Sequence, residues 1–256
     1  MIRNIVFDIS NVLAPFRFKE FLSEKGFDAA MIKRIIKASA MTPYWTEYEK
    51  GKLTYEEAIE AFLSVDPDIP EELHKAYDSC SGIMGRYDYT EGWIDTLKEA
   101  GYKLYCITNF TPAGYEQCYD SISFIERFDG CVFSFREGVV KPDPDIYKTL
   151  LRRYNLKAEE CVFIDDTEEN VRSAEELGFT GIVFTGYDDA VAKLDKIVTL
   201  FRKLKRKSHC IFVQLLKCLY KCSKTLATIR FVGAENTVKT FPTVIRDPRK
   251  LSAVVV

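Results

Sequence analysis

Four short segments carry residue types that together suit the transfer of a phosphoryl group. The first is Asp8, which closes the apolar run Ile5-Val6-Phe7 and leads into Ile9-Ser10-Asn11-Val12-Leu13. A carboxylate at the carboxyl end of a strand stands where open α/β sheets place their chemistry. Thr108-Asn109 ends the strand-like run that starts at Lys103, Lys141 precedes Pro142, and Asp165-Asp166 follows Cys161-Val162-Phe163-Ile164. Taken singly, each reads as a turn residue, a helix cap or a solvated lysine. Their order at successive strand ends is what gives them weight.

A carboxylate attacking phosphorus is repelled by the phosphate's own oxygens, so a hard divalent cation must bridge the two. Magnesium suits one or two carboxylates completed by substrate oxygens and waters. Asp8 and Asp165, with the Ser10 backbone carbonyl, form a partial shell of that kind, and Asp166 adds a second acid beside Asp165. Adjacent acids after an apolar run repel each other unless a cation or donors offset them. Thr108 offers a hydroxyl, Asn109 stands next to it as a substrate contact, and Lys141 supplies a compact positive charge. The expected chemistry is a two-step hydrolysis of a small phosphorylated metabolite through an aspartyl phosphate on Asp8, with charge neutralised where it develops.

In order and context these segments resemble the four motifs of the haloacid dehalogenase superfamily, and within it the small phosphatases whose first motif reads Asp-x-Gly-Asn-Val. The resemblance spans about residues 2 to 200. It implies that Asp8 is the nucleophile, Thr108 and Lys141 hold phosphate, and Asp165 and Asp166 are the magnesium-side carboxylates. A helical cap that chooses the leaving group is implied as well, with sugar phosphates as substrates. The chain departs from the commoner pattern at Ser10, where many superfamily phosphatases carry a second acid that protonates the leaving oxygen and then activates water. A serine hydroxyl does neither efficiently. An easily departing anomeric oxygen, or a proton from Glu47 or Tyr48, fills that gap in the phosphatase reading. A haloacid dehalogenase also lacks the second acid, but it has no use for magnesium or for the acidic pair. A phosphate-ligand sensor or interaction protein without catalysis is the third class.

The elements that must position these residues alternate. Strand-like runs at Ile2 to Phe7, Lys103 to Ile107, Cys131 to Ser134, Cys161 to Ile164 and Gly181 to Phe184 are interleaved with helical stretches at Gly92 to Ala100, Asp145 to Tyr154, Glu168 to Leu177 and Asp189 to Leu200. That pattern predicts an α/β fold, a Rossmann-like parallel sheet with helices on both faces. Gly101 and Gly178 stop two of the helices. Residues 18–87 have helical periodicity instead, including a capping box at Thr54-Tyr55-Glu56-Glu57, and are read as an inserted α-helical cap. The core is then 1–17 and 88–201. Within the cap, Tyr44-Trp45-Thr46-Glu47-Tyr48 combines aromatic bodies with a carboxylate near a loop containing Pro43, so Trp45, Glu47 and Tyr48 are the expected substrate contacts. Arg17 and Lys19 read as solvated hinge residues and His74 as an exposed helix residue.

Residues 202–256 break the pattern. They hold 13 Lys and Arg against 2 Asp and Glu, while residues 1–201 hold 23 against 36, so the formal net charge of −2 averages two very different segments. The stretch Cys210 to Lys221 suits a basic amphipathic helix, and Arg202 to Lys207 suits an anionic surface. Every chemical motif precedes this extension, so neither nucleic acid nor membrane is required for catalysis. With 47% hydrophobic and 29% charged residues the chain can bury a full core. It has no run of eighteen apolar residues, and it enters a strand almost at once, so neither a membrane-spanning helix nor a signal peptide is expected. Cys106, Cys131 and Cys161 fall in apolar runs as small buried hydrophobes, and a reducing cytoplasm is the expected compartment.

Overall fold

The strand Asn4–Phe7 (β1) is buried along its whole length because both of its faces are covered. In this computed structural model residues 1–198 are described, and beyond them two strands, Arg230–Val232 and Val238–Thr240, paired antiparallel. The chain divides into two units, Met1–Val198 and Thr199–Val256. The basic stretches Cys210 to Lys221 and Arg202 to Lys207 lie outside the described residues.

In the first unit β1 pairs in parallel with Lys103–Thr108 (β2) on one side. Gly130–Phe133 (β3) extends the sheet beyond β2, and Cys161–Asp165 (β4) pairs with the other side of β1. Thr180–Val183 (β5) completes the order β3-β2-β1-β4-β5. The chain lays strands outward from β1 in one direction and then returns to the other side of it. The crevice at the carboxyl ends of β1 and β4 is therefore the switch point of an open parallel sheet, where such sheets bind ligands. Register sets the levels: Phe7 lies opposite both Cys106 and Ile164, which brings Asp8, Thr108 and Asp165 to the same rim.

Between β1 and β2 the chain forms six helices: Phe18–Glu24 (α1), Ala29–Ala38 (α2), Pro43–Glu49 (α3), Tyr55–Val65 (α4), Pro70–Tyr77 (α5) and Thr90–Glu99 (α6). Helices α1 to α5 fall within residues 18–87, and the capping box at Thr54 and Glu57 is present at the start of α4. They share an aromatic centre in which the Trp45 ring lies 6.2 Å from Phe18, 6.3 Å from Phe62 and 6.1 Å from Tyr77. The segment around Pro43 is helix, not loop. Pro43 occupies the first turn, where its missing N–H has no intrahelical partner to lose.

After β2 come Pro112–Gln117 (α7), Tyr119–Ile122 (α8), Ser134–Glu137 (α9), Pro144–Arg153 (α10) and Glu168–Glu176 (α11), and residues 187–198 form a twelfth helix. Alternation along β1 divides the core. Val6 joins Ile146, Tyr147 and Leu150 of α10 and Ala174 of α11 in one cluster, whereas the Phe7 ring meets Trp93 of α6 at 4.9 Å on the opposite face. Burial of each such side chain stabilises the fold by roughly 1.5–3 kcal/mol. Cys106 and Cys161 are buried thiols within these strands. Among the described residues no helix is long and apolar enough to cross a membrane.

Candidate active site

Two of the rim residues, Asp8 and Asp165, converge on one ammonium group. Lys141 Nζ lies 2.8 Å from Asp8 Oδ1 and 2.7 Å from Asp165 Oδ2, with all three side chains at most 8% exposed. The Ile9 N–H donates to Asp8 Oδ1 at 2.7 Å, which fixes the carboxylate immediately past the end of β1. Asp165 is held more completely. The Thr167 N–H donates to its Oδ1 at 2.8 Å, and Asn170, in the first turn of α11, donates to both oxygens at 3.1 and 3.2 Å. Asp166 takes a different partner, accepting from Asn11 Nδ2 at 3.2 Å. Asn11 has a φ of 59°, a left-handed conformation that asparagine adopts more readily than most residues.

One oxygen from each of Asp8, Asp165 and Asp166 lies within 4.8 Å of the other two. Three carboxylates so close, against a single lysine, fit a hard divalent cation that takes oxygen ligands and keeps waters of its own. A second feature fits an anion: Thr108 is fully buried at the end of β2, and its Oγ1 has no hydrogen-bond partner. A buried hydroxyl without a partner costs free energy, and a bound oxyanion beside it would supply the missing acceptor.

Electrostatics follow from burial. Desolvation pushes the Asp8 carboxyl up to about 7, with Lys141 opposing and Asp165 reinforcing the shift. Burial also disfavours the Lys141 charge, but Asp8 and Asp165 outweigh it and raise the ammonium above its ordinary value. The lysine is thus held charged between two acids.

The site opens into a cavity of about 250 Å³. Asp8, Ser10, Asn109, Lys141 and Asp166 line its core side, and α3 contributes Trp45, Tyr48 and Glu49. One sequence expectation needs correction here. Glu47 does not line the cavity: its carboxylate is 2.7 Å from Lys50 Nζ and 3.1 Å from Lys52 Nζ, and both pairings hold its pKa below the ordinary value. The reason is helical spacing, since residues 45, 48 and 49 share a face at i, i+3 and i+4, whereas residue 47 turns away. Asn109 lines the cavity and its side-chain oxygen and nitrogen each bond the Lys141 backbone, so it positions the lysine while one amide N–H remains uncommitted.

Arg17 is paired with Glu24, and Lys19 and His74 are exposed, so none of the three belongs to the site. Sequence reasoning missed Glu49, Asn170 and Ser134. Asn170 had a signal, standing in the first turn after the acidic pair. Ser134 had none: its hydroxyl donates to the Glu49 carbonyl at 2.6 Å and accepts the Phe110 N–H at 2.9 Å, a junction that only the folded chain creates.

Comparison with known proteins identifies the family and the fold. A family profile described as haloacid dehalogenase-like hydrolase matches residues 2–178. A sesquiterpene phosphatase of Aspergillus oryzae is 26% identical over 141 residues, covering 55% of this chain and 72% of that protein. A flavin mononucleotide hydrolase of Arabidopsis thaliana is 28% identical over 156 residues, 60% of this chain and 61% of that one, so the match leaves part of each relative uncovered. A haloacid dehalogenase family enzyme of Bacteroides thetaiotaomicron, solved as a magnesium complex, shares the fold with a TM-score of 0.58 at 21% identity, covering 73% of this chain and 96% of that one. Sheet order, rim residues and family profile converge on one assignment: the chain belongs to the haloacid dehalogenase-like hydrolases.

Proposed function

We propose that the protein is a magnesium-dependent phosphatase that hydrolyses a small phosphomonoester through an aspartyl phosphate on Asp8. The observation that carries this reading is the buried ammonium of Lys141 between Asp8 and Asp165, with Asp166 completing an acidic cluster; the unpartnered Thr108 hydroxyl at the end of β2 supports it. Asp8, Asp165, Asp166 and the Ser10 carbonyl would hold magnesium, which supplies charge that lets an anionic nucleophile approach an anionic ester. Lys141 and Thr108 hold the phosphoryl oxygens, Asn109 and Asn170 keep Lys141 and Asp165 in place, and Asp8 attacks phosphorus in line with the leaving oxygen. A haloacid dehalogenase would leave the acidic cluster without a purpose.

The cavity beyond the phosphate position carries Phe16, Trp45, Tyr77, Ile83, Met84 and Phe110. Such a lining supports an alcohol with an apolar or planar body. The resemblance implied a sugar phosphate, but the Glu47 carboxylate expected to contact such a substrate is turned away and paired with Lys50 and Lys52. Relatives named for a sesquiterpene and for flavin mononucleotide are in keeping with a partly apolar leaving group. Every residue in this scheme precedes residue 171, so a chain ending after Val198 should retain the activity without a nucleic-acid or membrane partner.

The test is a panel of phosphomonoesters, from sugar phosphates to aryl and isoprenoid phosphates, assayed with magnesium and with chelator. Phosphate release that requires magnesium and disappears in Asp8→Asn supports the proposal. Undiminished release in chelator, or halide release from haloacids with no phosphate release, would overturn it.

A further inference from the structure

Ser10 leaves the proposed reaction without a proton donor for the leaving oxygen, and the cavity contains a group placed to serve instead. Asp8, Asp166 and Glu49 are the acids that line it. Asp8 is the nucleophile, and Asp166 belongs to the acidic cluster and accepts the Asn11 amide. Glu49 comes from the cap, and among the described residues no basic side chain forms an ion pair with it. We propose that Glu49 is the general acid and base of this site, an inference that rests on the phosphatase reading above.

The backbone holds Glu49 in place from the core. Ser134 Oγ donates to its carbonyl at 2.6 Å and accepts the Phe110 N–H at 2.9 Å, tying the end of α3 to the loop that follows β2 and carries Asn109. Two residues on, Gly51 lies so close to the core that a Cβ there would stand 2.4 Å from the Phe135 carbonyl oxygen. A group that must meet a proton at hydrogen-bond distance needs such a mount.

Chemistry separates Glu49 from its neighbours. Burial pushes its carboxyl up to about 7, with the Trp45 indole and Lys141 opposing and Asp8 reinforcing the shift. Lys141 and Asp8 are the charged groups acting on it from the core, and no charged side chain of α4 or α9, which pack against α3, contributes. Tyr48, the other cap candidate, is pushed up to about 12 by burial, and the Cys118 thiol to about 11, so neither exchanges protons readily near neutrality. A carboxyl tuned towards neutral pH is the group suited to both halves of the reaction.

The steps balance. Protonated Glu49 gives its proton to the leaving oxygen as the ester P–O bond breaks and Asp8 bonds to phosphorus. The resulting Glu49 carboxylate takes a proton from water as the water oxygen bonds to phosphorus and the P–O bond to Asp8 breaks. Inorganic phosphate leaves, Asp8 is again a carboxylate and Glu49 is again an acid.

The full chain, Glu49→Gln, Glu49→Asp and Asp8→Asn are to be compared with magnesium on benzyl phosphate, whose alkoxide needs a proton, and on 4-nitrophenyl phosphate, whose phenolate does not. Glu49→Gln should lose on the order of 100- to 10,000-fold in kcat/KM on benzyl phosphate and less than about tenfold on the aryl ester. The aryl ester should then give a burst of nitrophenolate with phosphate accumulating on Asp8, detectable by mass spectrometry, because water attack has lost its base. The decline of wild-type kcat/KM on benzyl phosphate above about pH 7 should vanish in Glu49→Gln and return in Glu49→Asp. Equal losses on both esters, an unchanged pH profile and no burst would overturn the assignment while leaving the phosphatase standing. A wild-type chain inactive on every phosphomonoester of the panel would overturn both.

Discussion

Asn109 and Lys141 hold each other by two hydrogen bonds: the Asn109 amide nitrogen donates to the Lys141 carbonyl at 3.2 Å, and its oxygen accepts the Lys141 N–H at 2.9 Å. One side chain at the end of β2 thereby satisfies both backbone groups of the residue whose ammonium joins Asp8 to Asp165. Position along the sequence places the two 32 residues apart, so the pairing exists only because β2 and the loop before α10 reach the same rim.

Asn109→Ala should therefore behave as a positioning change. The freed backbone N–H and carbonyl of Lys141 should cost about 1–3 kcal/mol of stability, and kcat should fall more than KM rises. Thermal melting and steady-state kinetics on one sample check this. A raised KM with unchanged melting would mean that the amide contacts substrate after all.

Asp8 makes stability depend on pH. Its folded pKa lies near 7, above the ordinary 3.8, so the folded protein retains a proton that the unfolded chain has lost. Its contribution is thus fully present below pH 4 and is lost as pH rises through about 7. Metal-free protein should lose stability across that window by at most about 1.4 kcal/mol per pH unit from this group. Asp8→Asn removes the titration and should flatten the slope, making the inactive variant more stable than the parent at pH 8. Magnesium should raise the parent's melting temperature more than the variant's, by mass action on the folded state. Parallel melting curves for the two proteins between pH 5 and 8 would contradict this account.

Much of this was legible in the sequence, and what was not has physical causes. Strand ends were readable because buried parallel strands are near-continuous apolar runs and Asp8, Thr108 and Asp165 interrupt them abruptly. Residues 18–87 were readable as helix from periodicity, yet the residues expected to face substrate were assigned by type, which favoured Glu47 over Glu49. Applying the same periodicity to α3 would have joined Glu49, not Glu47, to Trp45. The bond between Ser134 and Glu49 has no local signature, because it links a core strand end to a helix 85 residues earlier.

Gly51 tests how closely α3 must approach the core. Its φ is +66°, and a Cβ would meet the Phe135 carbonyl oxygen at 2.4 Å, so Gly51→Ala combines backbone strain with a clash. A loss of about 1–3 kcal/mol is expected, and activity should fall with it because the same helix carries Trp45, Tyr48 and Glu49 into the cavity. Gly92→Ala is the control: it lies on the exposed face of α6 with nothing within 4 Å, and should stabilise by about 0.5–1 kcal/mol. If Gly51→Ala melts like the parent, α3 has room to shift and the junction is loose.

The vacancy at Ser10 and the acid at Glu49 should behave as alternatives for one task. Ser10 lies two residues beyond Asp8 and lines the same cavity, so Ser10→Asp introduces a carboxylate where the proposed reaction releases its leaving oxygen. In the parent the gain should be small, because Glu49 already exchanges the proton. In Glu49→Gln the same change should recover at least about tenfold of kcat/KM on benzyl phosphate and shorten the burst on the aryl ester. The added charge has a cost, since it joins three acids within 4.8 Å of one another. Ser10→Asp should therefore melt lower than the parent in chelator and regain stability in magnesium. A double variant that binds magnesium, melts as expected and still recovers nothing on benzyl phosphate would show that Glu49 does not stand in for the acid missing at Ser10.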